Sequence, residues 1–258
     1  MIAMSLTNTP SLNPTCSVLR VADIPFGQAV NIEGQLETLH LDVYLPEDGS
    51  DALRPAVIWF HGGGFMPGND KRQIYIPRFA NAFAERGYVG IAPDYRVRAE
   101  PLADSAATLR DAVTDARSAL VWVRANSAAY RIDPNCIILA GGSAGGMTVL
   151  NLVHDSDPSL GDAPLESVVA VLDLWGTPGE TYRHYAQLNP ATPPTFIIHG
   201  TADQLVSYQL SQDFMTELEQ AGATGELLTL PDAPHTPLRH FDEMIVAIGI
   251  FLNKILAR

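Results

Sequence analysis

From Glu37 to Leu45 apolar and polar positions alternate, with Leu39, Leu41, Val43 and Leu45 set against His40, Asp42 and Tyr44. A period of two predicts a strand with one covered face, paired antiparallel. Later runs are apolar on both faces: Ala56–Phe60, Cys136–Ala140, Val168–Leu172 and Phe196–Ile198, with Val89–Ala92 shorter and weaker. Such runs suit a parallel sheet covered by helices. Leu227–Leu230 reads as a last strand. Helical stripes fall between the runs. Leu109, Ala112, Ala116, Ala119, Leu120 and Val123 recur at three- and four-residue steps, with Asp104 or Ser105 placed to cap. Leu210, Phe214 and Leu218 form a second stripe, and Phe241, Met244, Ile245, Ile248, Phe251, Leu252 and Ile255 a third. Strand–helix alternation predicts one doubly wound, mostly parallel α/β sheet over residues 1–258, opened by a loose arm of about 15 residues. Chemistry belongs at the carboxyl ends of its strands.

Three strand ends carry it. Gly141-Gly142-Ser143-Ala144-Gly145 follows the run ending at Ala140 and precedes a helix-compatible segment, Gly146–Val153. A G-x-S-x-G strand–turn–helix exposes the serine hydroxyl as a nucleophile. The competing reading is a glycine-rich phosphate turn. His61-Gly62-Gly63-Gly64-Phe65 follows Phe60, where three glycines let backbone N–H groups approach a ligand. This pattern predicts an oxyanion loop with Gly62 and Gly63 as donors, joined by Ala144. Asp203 follows the run ending at Ile198 and is the expected acid, with Asp173 one strand earlier as its rival. Of the seven histidines, His235 is the expected base, because it lies in the rigid loop Pro231–Pro237 after the acid and before the last helix. His240 is the rival, and His199 braces the acid loop. Asp94-Tyr95-Arg96 reads as structural.

Composition narrows the function classes. The 258 residues are 47% hydrophobic and 17% charged, enough apolar content for a sizeable core. Sixteen Lys and Arg against 29 Asp and Glu leave a net charge of −13, which disfavours nucleic acid and anionic membranes as partners. Two cysteines, Cys16 and Cys136, exclude a disulfide scaffold and a multi-cysteine metal site. The acidic residues Asp155, Asp157 and Asp162 lack a calcium-loop spacing and read as a solvated loop. Neither metal nor organic cofactor is expected. No apolar stretch reaches a membrane-spanning length and no signal peptide is visible, so the expected location is the cytoplasm. A homo-oligomer is compatible with the sequence.

Taken together, Leu41–Pro46, His61–Phe65, Asp94–Arg96, Gly141–Gly146, His199–Asp203 and His235 resemble the α/β-hydrolase fold. The resemblance is to serine carboxylesterases with an HGGG loop, the hormone-sensitive-lipase-like esterases and the compact acetyl and feruloyl esterases. It implies a Ser143–Asp203–His235 triad, an oxyanion hole from Gly62, Gly63 and Ala144, and hydrolysis of short-chain acyl esters through an acyl-enzyme. Acetyl or feruloyl esters of carbohydrates are the implied substrates. Two features depart from the larger members: Gly142 stands where they usually carry aspartate, and only 60 residues precede His61, so a large cap is not expected. The candidate lid is the short segment 176–194, and Phe65, Trp175, Tyr182 and Tyr185 are candidates for the pocket wall, each with packing as a core aromatic as the alternative. An amide hydrolase of the arylformamidase type and a non-catalytic binding protein on the same fold are the alternatives.

Overall fold

The computed structural model describes residues 10–154, 165–179 and 188–257. Eight strands form one sheet: β1 (Ser17–Val30), β2 (Leu36–Glu47), β3 (Arg54–Phe60), β4 (Val89–Pro93), β5 (Ile132–Gly142), β6 (Val168–Leu174), β7 (Thr195–Gly200) and β8 (Gly225–Leu230). Their spatial order is β1-β2-β4-β3-β5-β6-β7-β8. The β1–β2 and β2–β4 pairs are antiparallel and all the others parallel. The alternating segment 37–45 therefore pairs as its period predicts. The continuously apolar runs occupy the parallel part, where both faces are covered.

Among the described residues five α-helices flank the sheet: α1 (Tyr75–Ala84), α2 (Ser105–Ala125), α3 (Ala144–His154), α4 (Tyr208–Gln220) and α5 (Phe241–Leu256). Asp104 caps α2 by accepting from Ala107 N–H. Two buried clusters sandwich the sheet. One holds Leu41, Ile58, Ile91, Leu120 and Leu139, and the other Val57, Trp59, Phe79, Ile138 and Phe251. Among the described residues there is no cap domain, and no helix is long and apolar enough to cross a membrane.

Three features depart from the sequence expectations. Strand β1 carries no clean alternation, because its register slips between Val21 and Ile24 and again between Pro25 and Gly27. Bulges of this kind displace side chains from the period of two. Helix α1 was not anticipated. It has no side-chain cap and places Pro77 in its first turn, where a missing N–H costs little. The described end of the N-terminal arm is not loose: Ser11 N–H donates to Arg86 C=O at 2.9 Å and Thr15 N–H to Glu85 C=O at 2.7 Å.

Candidate active site

The strand ends of β3, β5 and β7 and the loop after β8 converge on one cavity of about 580 Å³. Ser143 sits between β5 and α3 with φ +55°. A non-glycine residue in this region is strained and is held by its surroundings. Its N–H donates to Leu174 C=O at 2.9 Å, and its C=O accepts from Met147 at 3.0 Å. The turn needs small neighbours. A Cβ on Gly145 would lie 2.2 Å from Phe60 O, and one on Gly141 2.2 Å from Gly145 O. The side chain faces the cavity at the N-terminus of α3, where the helix dipole favours developing negative charge.

His235 Nε2 lies 3.0 Å from Ser143 Oγ, and His235 Nδ1 lies 2.7 Å from Asp203 Oδ2. A carboxylate only accepts, so Nδ1 carries the proton and Nε2 presents its lone pair to the serine hydroxyl. The Asp203 side chain is fully buried. Its Oδ1 accepts from Leu205 and Val206 N–H at 2.8 and 3.0 Å, and its Oδ2 also accepts from His199 Nε2 at 3.0 Å. Burial pushes this carboxyl up, but the hydrogen bonds from His235, Val206 and Leu205 outweigh it and hold the pKa below the usual value. His199 Nε2 faces a second acceptor, Val206 C=O at 3.0 Å, so it is the protonated nitrogen, while Nδ1 accepts from Ser211 Oγ at 2.7 Å. Burial lowers the His199 pKa and keeps that ring neutral.

The rivals are placed elsewhere. Asp173 is buried in β6 with Oδ1 unpartnered, and burial pushes its pKa up to about 7. His240 pairs with Glu243 on the surface at 2.8 Å. Asp94-Tyr95-Arg96 is structural: Asp94 binds Lys71, Tyr95 OH donates to His61 C=O, and Arg96 pairs with Asp115.

The glycine loop corrects one expectation. The N–H of Gly62 is engaged by Gln73 Oε1 at 2.8 Å, so it does not face the cavity. The cavity is lined instead by Gly63, Gly64 and Ala144. Their N–H groups have no protein acceptor among the described residues. Gly62 C=O accepts from His61 Nδ1 at 2.9 Å, which turns that oxygen toward a buried ring. A trans peptide sets its N–H opposite its C=O, so the Gly63 N–H is directed away from the core. His61 is stacked on Tyr95 at 4.1 Å, and burial lowers its pKa. The ring therefore stays neutral and its Nδ1–H serves as the donor.

The pocket wall also differs from expectation. Phe65 lines the cavity, with φ +61° and its ring edge toward Tyr95. Trp175 does not. It is fully buried against Tyr75, rings 5.4 Å apart, because Leu174 and Trp175 turn into the core beneath the serine. Tyr182, Tyr185 and the acidic residues Asp155, Asp157 and Asp162 lie outside the described residues. The cavity rim is formed by side chains that the sequence reading passed over: Met66, Leu102 and Leu205, of which Leu102 is 89% and Leu205 78% exposed. Isolated leucines in polar loops carry no periodic signal, so only the assembled fold groups them. The same holds for Asn69 and Gln73, which the fold also brings to the cavity. Among the described residues no group of His, Cys, Asp and Glu is arranged to hold a metal ion.

The BD-FAE family profile matches residues 41–165, and the profile of the prolyl oligopeptidase family matches residues 166–249. LipM of Mycobacterium tuberculosis, described as a probable carboxylic ester hydrolase, is 27% identical over 218 residues, covering 70% of this chain and 49% of that protein. The chain spans about half the length of the curated relatives it matches. Among solved structures, Thermogutta terrifontis esterase 2 phosphonylated by cyclosarin matches with a TM-score of 0.71 at 27% identity, covering 89% of this chain and 94% of that one. The butyrate-bound form of the same esterase matches at 26% identity with a TM-score of 0.71, covering 90% and 94%.

Proposed function

We propose that this chain, an α/β-hydrolase of the serine carboxylesterase group, hydrolyses short-acyl carboxylic esters through a covalent intermediate on Ser143. The observation that carries the reading is the unbroken hydrogen-bonded series Asp203–His235–Ser143, opening on a cavity beside unpartnered N–H groups. In the first step Ser143 Oγ attacks the ester carbonyl carbon as its proton passes to His235 Nε2. The carbonyl electrons move to oxygen, and the N–H groups of Gly63, Gly64 and Ala144 receive the oxyanion. Asp203 stabilises the imidazolium through Nδ1–H. Collapse breaks the bond to the alcohol oxygen, which takes the proton from Nε2 and leaves. Water then attacks the acyl-enzyme with His235 again as base, releasing the carboxylic acid and restoring Ser143.

The substrate is read as a neutral ester with a small acyl group, C2 to C4. The butyrate named for the neighbouring esterase supports this. Among the described lining residues His235 and the buried Tyr75 are the titratable ones, so none of these described residues is a Lys or Arg that would anchor an anionic substrate. Met66, Leu102 and Leu205 offer the alcohol side an apolar rim. Acetyl esters fall within this class, whereas the bulky aromatic acyl group of a feruloyl ester does not. The continuous sheet supports reading the chain as one catalytic domain.

A panel of p-nitrophenyl esters from C2 to C12 tests the reading. Turnover is expected to peak at C2–C4, fall sharply by C8, and vanish in Ser143→Ala with folding intact. A flat profile to C10 would overturn the acyl-size assignment. Activity surviving in Ser143→Ala would overturn the mechanism.

A further inference from the structure

Gly62–Phe65 is followed by a turn whose two side-chain amides fold back onto the glycines. Gln73 Oε1 accepts from Gly62 N–H at 2.8 Å. Gln73 Nε2 points at Asn69 Oδ1 at 3.4 Å. Asn69 Nδ2 in turn donates to Met66 C=O at 3.0 Å and to Gly63 C=O at 3.3 Å. The orientation of both amides is fixed by their partners. A backbone N–H needs an oxygen opposite it and a backbone C=O needs an N–H, so neither amide can be flipped without losing its contacts. The Asn69 side chain fills the space where Gly63 would carry a Cβ, with its Cγ 2.0 Å from that point. The segment is anchored from behind. Lys71, almost fully buried, reaches Asp23 at 2.8 Å and Asp94 at 3.0 Å through Nζ, and its own N–H donates to Asp94 Oδ1 at 2.9 Å.

We propose that Asn69 and Gln73 are positioning residues for the oxyanion hole, acting as an amide bracket that sets the direction of the Gly63 and Gly64 N–H groups. This inference rests on the esterase reading. Each peptide unit of the loop is steered by its carbonyl. His61 holds Gly62 C=O and so directs Gly63 N–H. Asn69, with Met66 N–H at 3.1 Å, holds Gly63 C=O and so directs Gly64 N–H. Gln73 fixes the far side of the Gly62 residue and keeps its N–H out of the cavity. Three consecutive glycines have the widest backbone freedom of any tripeptide, so without such restraints the donors would sample many directions. A donor that must be reoriented during the reaction stabilises the oxyanion less than one already aimed.

The test compares Asn69→Leu, Asn69→Asp, Gln73→Leu and Gln73→Glu with wild type and Ser143→Ala. Steady-state rates on p-nitrophenyl butyrate are read together with the affinity for an aryl trifluoromethyl ketone, whose adduct carries the tetrahedral oxyanion. Losing one oxyanion donor outright costs ~10²–10³ in rate, so misdirecting it should cost about 10- to 100-fold. Asn69→Leu and Gln73→Leu are expected to lose that factor in kcat with KM within about twofold, and ketone affinity should fall in parallel. Gln73→Glu keeps an acceptor for Gly62 N–H and is expected to lie between Gln73→Leu and wild type. Asn69→Asp keeps the shape but loses the donors, so it is expected to match Asn69→Leu. Leucine variants with unchanged kcat, a loss confined to KM, or unchanged ketone affinity would overturn the inference while Ser143→Ala stays inactive. Hydrolysis persisting in Ser143→Ala would remove the esterase reading and this inference with it.

Discussion

In the acid–base arm of the site, side chains hold side chains: Asp203 receives four hydrogen bonds, two from backbone N–H and two from histidines, and passes its orientation to His235. In the oxyanion arm, the side chains of His61, Gln73 and Asn69 hold peptide groups, and the groups proposed to bind the substrate are N–H donors with no identity of their own. The difference is one of robustness. A carboxylate with several donors stays in place when one is lost, because the remaining charge-assisted bonds still define its direction. Each glycine has two soft dihedrals with no side chain to restrict them, so each missing restraint is felt directly.

The largest expected effects lie in the acid–base arm. His235→Ala and Asp203→Asn should each lower kcat by ~10⁴, since the three residues act as a unit. Steady-state hydrolysis of p-nitrophenyl butyrate checks this. If His240→Ala or Asp173→Asn were the inactive variant instead, the assignment of the arm would fail.

His199→Phe probes how well that arm tolerates the loss of one supporting bond. Asp203 would keep its contacts to Leu205, Val206 and His235, so kcat should fall by about tenfold or less, far less than in Asp203→Asn. A loss as large as that of Asp203→Asn would mean that both arms depend equally on each restraint, and the comparison would break.

The smallest effect concerns stability rather than rate. Asp173 lies beneath the junction of the two arms, its Oδ1 against Gly146 and Gly176. Burial pushes its pKa up to about 7, above the ~3.9 of an unfolded aspartate. The native state therefore holds a proton that the unfolded state has lost over that interval. The stabilisation is full below about pH 4 and is lost as pH rises through about 7. Asp173→Asn, which cannot ionise, should match wild type near pH 4 and melt at higher temperature at pH 8. Melting curves from pH 4 to 8 read this, and a pH-independent difference between the two proteins would contradict it.

These contrasts also explain how much of the molecule was legible in the sequence. Buried parallel strands announce themselves as unbroken apolar runs, and β3, β5, β6 and β7 stand where those runs lie. β1 was missed because its bulges scramble the alternation, and α1 because it lacks a capping residue and carries Pro77. Within the site, the structure brings Ser143, Asp203 and His235 together, and these were legible in the sequence because each side chain is itself the chemical signal and each follows a strand in the order the proposed mechanism needs. The oxyanion loop is located by its glycines, but which N–H is free depends on Gln73, eleven residues beyond Gly62. Nothing in a run of three glycines distinguishes one donor from the next. Trp175 reads from sequence equally as pocket wall or packed aromatic, and its side chain points to the core, a direction that composition does not encode.

The central claim is that Ser143 is a nucleophile activated by His235, and covalent labelling tests it most directly. Incubation with a fluorophosphonate followed by mass spectrometry should show one adduct, on the peptide containing Ser143, absent in Ser143→Ala and formed at least ~10² more slowly in His235→Ala. An adduct on another serine, or equal labelling rates in wild type and His235→Ala, would contradict the account.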